Sequence, residues 1–189
     1  VDPGNPSLAL RAAVAHSSLG HDVEALSAFE RARALDPESL DARHYEALHH
    51  LRAGRPERAA PLLEQVLGGQ PERRAALAAL AGIRMVEGNT DAATQLFERA
   101  RAVSGERFEH DLELGVLYLA ARRLDEARDA LDRVEPHDPG YPMALFKRAQ
   151  VSVLLREPDA AARIQLARDV ATPATRDLIA RERLFEGLR

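Results

Sequence analysis

The 189-residue chain has no cysteine, no tryptophan, a single lysine (Lys147) and only 4% aromatic residues. Without cysteine there is no disulfide framework, no thiolate metal site and no thiol nucleophile, and the compartment stays open between cytosol and periplasm. No apolar run approaches the length of a membrane span, and no signal-peptide pattern opens the chain. An excess of basic charge is also missing. The 26 Lys and Arg face 30 Asp and Glu, and the net charge of −4 excludes a general nucleic-acid binder. There is no Gly-rich phosphate loop, HExxH, GxSxG or EF-hand acid ladder. The expectation is therefore a non-enzymatic protein without cofactor or metal, without a nucleic-acid partner and without direct membrane insertion. What the chain does have is 46% hydrophobic residues, too apolar for disorder, and 35 alanines. Alanine is the best helix former and aromatics favour strands, so the fold class predicted is all-α. Heavy use of Arg and Ala beside one Lys points to a GC-rich genome and hence a bacterium, with a soluble protein of cytoplasm or periplasm.

At a spacing of 34 residues the chain repeats. One small-residue column reads Ala13, Ala47, Ala81, Gly115, Ala149, and a second reads Ala25, Ala59, Ala93, Ala127, Ala161. A large apolar column holds Phe29, Leu63, Phe97 and Leu131 before Gln165. A fourth holds Ala32, Val66, Ala100 and Val134 before Arg168, and a fifth Pro37, Pro71, Gly105 and Pro139. Each unit carries two helical patterns, broken mid-unit at Gly20, Gly54 and Gly88 and closed by the Pro column. Short side chains let two helices approach, and the large column fills the space beside them.

This pattern resembles the tetratricopeptide repeat family, whose units are helix pairs of about 34 residues with small, bulky and Pro columns in these places. The resemblance implies an all-α, right-handed superhelical solenoid of antiparallel helix pairs. Its units are a repeat at residues 6–39, a second at 40–73, a third at 74–107, a fourth at 108–141 and a degenerate fifth at 142–172. Residues 1–5 read as the tail of a preceding repeat, with Val1, Asp2 and Pro3 in the columns of Leu35, Asp36 and Pro37. The chain is thus expected to be a piece of a longer protein. Residues 173–189 read as a capping helix with an apolar stripe of Leu178, Ile179, Phe185 and Leu188, the alternative being the first half of a sixth unit cut short. The family's usual Trp column holds Ala9, Arg43, Leu77, Asp111 and Leu145, and its Tyr column survives only at Tyr118. In the fifth unit, a turn one residue shorter moves the small, large and small columns to Ala160, Ile164 and Ala167.

Other features read as structural. His16 and His50 share a packing column. The acids Glu109, Asp111 and Glu113 fall at a helix start, where a solvated, dipole-matched face is expected. Residues 108–141 carry nine acids and four Arg, while residues 142–189 carry nine bases and six acids. That contrast suits solubility, or a bipolar surface that orients a partner.

In the resembled family the first helix of each pair lines a concave face. Carried over, the candidate partner-binding residues are His44, Leu48, Leu51 and Arg52, then Met85, then Glu109, Leu112, Val116 and Leu119, then Phe146, Gln150 and Val153. The apolar members would bury a partner's side chains, and His44, Arg52, Glu109 and Gln150 would set register at the edges. The stretch 111–121 is apolar nearly all round, which requires cover on all sides, and a large exposed apolar patch marks an interaction site. Three occupants are open: a partner's helical or extended segment, another part of the parent protein, or tighter coiling of the repeats themselves. The family's grip on acidic chain ends is not expected, because Leu10 and Val14 stand where its Lys and Asn would be. The function implied is a protein–protein interaction scaffold for a helical or extended segment of a partner of unknown identity. A homo-oligomer is compatible with it. The alternatives are a substrate-selecting or dimerising arm of a larger enzyme, such as a transferase, and a bacterial assembly factor for pili, secretion or cytochrome maturation.

Overall fold

A computed structural model describes residues 4–105 and 108–186. Among them are eleven α-helices and one 3₁₀ turn, with no strand. The helices are α1 (Pro6–Ser18), α2 (Asp22–Leu35), α3 (Leu40–Arg52), α4 (Pro56–Gly69), α5 (Arg74–Val86), α6 (Thr90–Ala102), α7 (Asp111–Ala120), α8 (Leu124–Leu131), α9 (Tyr141–Leu155), α10 (Ala160–Val170) and α11 (Pro173–Arg181); the 3₁₀ turn spans Arg183–Phe185. They form two compact units, one up to Ser104 and one from Gly105 onward. In the first, α1–α2, α3–α4 and α5–α6 are packed pairs, each lying against the next. In the second, α7–α8 and α9–α10 are the pairs, and α11 and the 3₁₀ turn lie on α9.

Local chemistry starts these helices. The Asn5 side chain accepts from the Ser7 and Leu8 amides ahead of Pro6, Ser39 and Asn89 each accept one amide, and Thr172 accepts the Thr175 amide ahead of Pro173. The mid-unit turn recurs with the period of the sequence. Gly20, Gly54, Gly88, Arg122 and Arg156 all sit at positive φ, between +57° and +78°. Glycine adopts this left-handed backbone freely, whereas the two arginines hold it at a cost of about 1 kcal/mol each.

The repeat columns are the core. Ala13, Ala47, Ala81 and Ala149, Ala25, Ala59, Ala93 and Ala127, and Phe29, Leu63, Phe97 and Leu131 are all buried. Gly115 shows why its column is small: a Cβ there would lie 2.7 Å from Leu131 Cγ. In α10 the buried residues are Ala160, Ile164 and Ala167, while Ala161, Gln165 and Arg168 are exposed. The connection from the left-handed residue to the first small one is a residue shorter here than in the earlier pairs, and the whole column shifts with it.

Two expectations change. The final helix does not run from 173 to 189 as a single element; α11 stops at Arg181 and Glu182 is extended at φ −76°, ψ 108°. The Glu182 carboxylate accepts the Leu184 amide and also the Gln150 side-chain amide, which turns the chain back onto α9. Ile179 and Phe185 of the expected stripe are buried and Leu178 is exposed, while Leu188 lies outside the described residues. Val1, Asp2 and Pro3 of the expected tail also lie outside them. Asp111, read as part of a solvated helix start, is 4% exposed and pairs with Arg133 Nε at 3.1 Å. No helix of the described residues is long and apolar enough to cross a membrane.

Candidate partner-binding faces

In the first unit, α3 brings His44, Leu48, Leu51 and Arg52 to one stretch of helix, and Met85 lies near the end of α5. His44 is buried, at 3% exposure, with its ring edge-on to Tyr45. Burial, reinforced by the charge of Arg73 and opposed by Asp41, lowers its pKa to about 4. It offers no surface to a partner, contrary to the sequence reading. Helix α3 carries polar residues on nearly every side, so periodicity alone could not separate its inner face from its outer one. Leu51 packs against the cluster of Ala47, Ala59, Leu63 and Leu80. Leu48 and Met85 are half-buried, and Arg52 is exposed.

Arg52 belongs to a polar network that the sequence did not announce. It donates from Nη2 to Ser17 Oγ at 2.6 Å, and the same Oγ lies 2.8 Å from His49 Nδ1. His49 Nε2 is 2.9 Å from Asp22 Oδ1, and Arg55 donates to both Asp22 oxygens. The set has the composition of a nucleophile–base–acid relay. However, Ser17 is 6% and His49 4% exposed, and Arg52 occupies the approach to Oγ. The arrangement ties the first helix pair to the second. Nearby, Glu46 is buried against Arg33 at 3.1 Å. Burial raises its pKa against the opposing pull of Arg33 and Arg43. Among the described residues, no three His, Asp or Glu are grouped so as to hold a metal ion.

The second unit contains a cleft. Val116, Leu119 and Ala120 of α7, Arg122 of the following turn, Lys147, Gln150 and Leu154 of α9, and Leu184 of the 3₁₀ turn line an open surface cleft of about 400 Å³. This lies at the lower end of the range for ligand pockets. Three residues named from the sequence, Val116, Leu119 and Gln150, meet here. The rest do not line it. Leu112 packs towards Gly140, where an added Cβ would lie 2.7 Å from Leu112 Cδ2. Val153 packs on the cluster around Ile164, and Glu109 is simply exposed. Phe146 is buried, at 3% exposure, because Phe185 packs edge-on against it with ring centroids 6.0 Å apart. Gln150 is 9% exposed, its amide held by Glu182. Phe146 is thus not an open contact residue, and Gln150 lines the cleft with its side-chain amide already engaged by Glu182.

Sequence reasoning missed Arg122, Lys147 and Leu184. Lys147 stands one residue beyond the carried-over column at Phe146, and its Nζ lies 5.0 Å over that ring. Burial lowers its pKa, opposed by the charge of Glu182. Its standing as the chain's only lysine was the available signal.

Comparison with known proteins agrees with this architecture. The sequence profile described as tetratricopeptide repeat matches residues 23–83, 50–106 and 84–151. No protein with curated annotation matches the chain. Among solved structures, YrrB, described as a TPR protein with an unusual peptide-binding site, aligns with TM-score 0.81 at 18% identity, covering 95% of this chain and 93% of its own. MamA aligns with TM-score 0.74 at 16% identity, covering 94% of this chain and 95% of its own. The pilF protein of Pseudomonas aeruginosa aligns with TM-score 0.70 at 17% identity, covering 95% and 82%. At these identities the likeness establishes the fold: an all-α, TPR-like solenoid.

Proposed function

The chain belongs to the tetratricopeptide repeat family, and from that premise we propose that it is a protein-interaction scaffold without catalytic chemistry of its own, which receives a segment of a partner protein in the cleft between α7 and α9. The observation that carries this reading is the cleft itself. Val116, Leu119 and Leu154 remain half-buried around it after the repeat columns have taken their share of the apolar residues. Aliphatic surface held open in this way is stabilised when a partner covers it. The peptide-binding site of YrrB, a protein of the same fold, supports the reading at the level of the class of ligand.

The test is the double variant Val116→Ala, Leu119→Ala. A peptide selected against the wild-type chain from a display library should bind the variant about tenfold or more weakly, since two half-buried aliphatic contacts of about 1 kcal/mol each are removed. Far-UV circular dichroism should be unchanged. Equal affinity in a variant of intact helicity would remove the cleft as the binding face.

A further inference from the structure

The chemistry lining the cleft is one-sided. Its apolar lining is Val116, Leu119, Ala120, Leu154 and Leu184, and the charged groups among its described lining residues are both cations, Arg122 and Lys147. Among the described residues no acidic side chain lines it. Neighbouring cations of the same unit are satisfied internally: Arg123 pairs with Glu126, and the buried Arg148 with Asp132 and Glu157. Among the described residues neither the Lys147 ammonium nor the Arg122 guanidinium has an ion pair or hydrogen bond; the ammonium of Lys147 has the face of Phe146 and, more remotely, the charge of Glu182. Lys147 is half-buried and its charge is partly stripped of water, which favours receiving a carboxylate, while Arg122 is an exposed cation at the edge of the same cleft.

The chain itself displays the complementary chemistry on the same helix. Residues 182–186, Glu-Arg-Leu-Phe-Glu, lie across α9. The Glu182 carboxylate is taken by Gln150 and acts on Lys147 through its charge, Phe185 covers Phe146, and Leu184 forms a wall of the cleft. An acid followed closely by bulky apolar residues is what this face already accommodates. The open cleft offers the same pairing of chemistry, cations at Arg122 and Lys147 beside the aliphatic Leu154 and Leu184.

Resting on the reading of the cleft as a partner site, we propose that it takes a partner segment in which an Asp or Glu side chain adjoins Leu-type residues. The aliphatic side chains enter beside Leu184 and the carboxylate sits at Lys147 and Arg122. Recognition has two separable parts. Burial of the aliphatic groups supplies contact with Val116, Leu119 and Leu154. The charge-assisted hydrogen bonds supply the preference for an acid over its amide.

Two fluorescein-labelled synthetic peptides test this on the full chain, Ala-Leu-Glu-Leu-Leu-Ala and the same peptide with Gln for Glu, with fluorescence polarisation as readout. The acidic peptide should bind about tenfold or more tightly than its Gln counterpart, and the margin should shrink as salt is added. Lys147→Met and Arg122→Asn (Asn tolerates the left-handed backbone) should each erase most of that margin, weakening the acidic peptide far more than the Gln peptide. Because Lys147 is the only lysine, a second readout is available. The acidic peptide should slow acetylation of its ε-amine by an amine-selective reagent, scored by mass spectrometry. If both peptides bind equally and Val116→Ala, Leu119→Ala weakens both, the cleft remains the partner site and the acidic preference is overturned. If neither peptide binds and Lys147 acetylates at an unchanged rate, the proposed ligand chemistry is overturned, and the display-selected peptide decides the partner site independently.

Discussion

Helix α3 should make the first unit sensitive to acid, with His44 as the main cause. His44 is enclosed at 3% exposure, its Nδ1 has no hydrogen-bond partner, and its pKa lies at about 4 against an ordinary value of 6.5. A base whose folded pKa is lowered is protonated first in the unfolded chain. Its contribution is therefore fully present above about pH 6.5, drains away as the pH falls towards 4, and is lost below that. His50 is shifted in the same direction, by burial first and then by Arg55 and its neighbours, so it adds to the slope. Glu46 opposes it. With its folded pKa raised by burial, it takes up a proton in the folded state first and restores some stability over its own window above about 4.5. For His44 alone, protonating the unfolded chain but not the folded one is worth about 2 kcal/mol at about pH 5, at 1.36 kcal/mol per pKa unit. The perturbation is His44→Leu, which removes the titration and the unpaired ring nitrogen while keeping an apolar side chain. Hydrogen exchange with mass spectrometry, read on peptides of α3, should show that the wild type loses about 2 kcal/mol more local stability than the variant between about pH 7 and pH 5. Peptides of α9, in the other unit, serve as the internal reference. If the two proteins share the same slope in α3, burial of His44 is not what governs the acid response.

Two backbone positions give sharper tests of the packing. Gly115→Ala places a Cβ 2.7 Å from Leu131 Cγ and 3.5 Å from Ala130 Cβ; the expected loss in urea unfolding is about 1–3 kcal/mol, the usual range for overpacking, and no loss would mean that α7 and α8 have slack between them. Arg156→Gly relieves a left-handed residue at φ 57° and should raise the melting temperature by the equivalent of about 1 kcal/mol or less; a drop would mean that the Arg156 side chain contributes more than its backbone costs.

The parts of the fold that the sequence revealed are those fixed by helix contact. Wherever two helices touch, only a small residue fits, and repetition of that constraint every 34 residues made Ala25, Ala59, Ala93 and Ala127 visible as a set. The shifted column of the fifth unit was legible for the same reason, because Ala160, Ile164 and Ala167 keep the internal spacing of the column after a shorter turn. Polar burial was not legible. His44 is enclosed with an unpaired ring nitrogen, while His49, Glu46 and Asp111 are enclosed because a specific partner lies within reach, Ser17 and Asp22 around His49, Arg33 beside Glu46 and Arg133 beside Asp111. No column records which polar side chains find one. The break after Arg181 was equally hidden, since it depends on one carboxylate, Glu182, choosing a backbone amide and Gln150 over a further helical turn.

The apolar surplus of the second unit separates into two shares once the C-terminal turn is placed. A helix that is apolar all round must be covered all round. For α9 this holds within the chain: its Phe146, Ala149 and Val151 are enclosed, and Phe185 completes the cover over Phe146. For α7 it does not. Leu114, Leu117 and Tyr118 are buried and Leu112 packs towards Gly140, yet Val116 and Leu119 remain at the cleft. The cover over α9 at Phe146 comes from a segment of this chain, which was not among the three occupants that the sequence left open, and the α7 side is where the proposed partner would sit. The two shares meet at Leu184 and Lys147, so the last turn both completes the core of its own unit and shapes the wall against which a partner would sit. A partner that binds there should therefore protect the amides of residues 182–186 as well as those of α7.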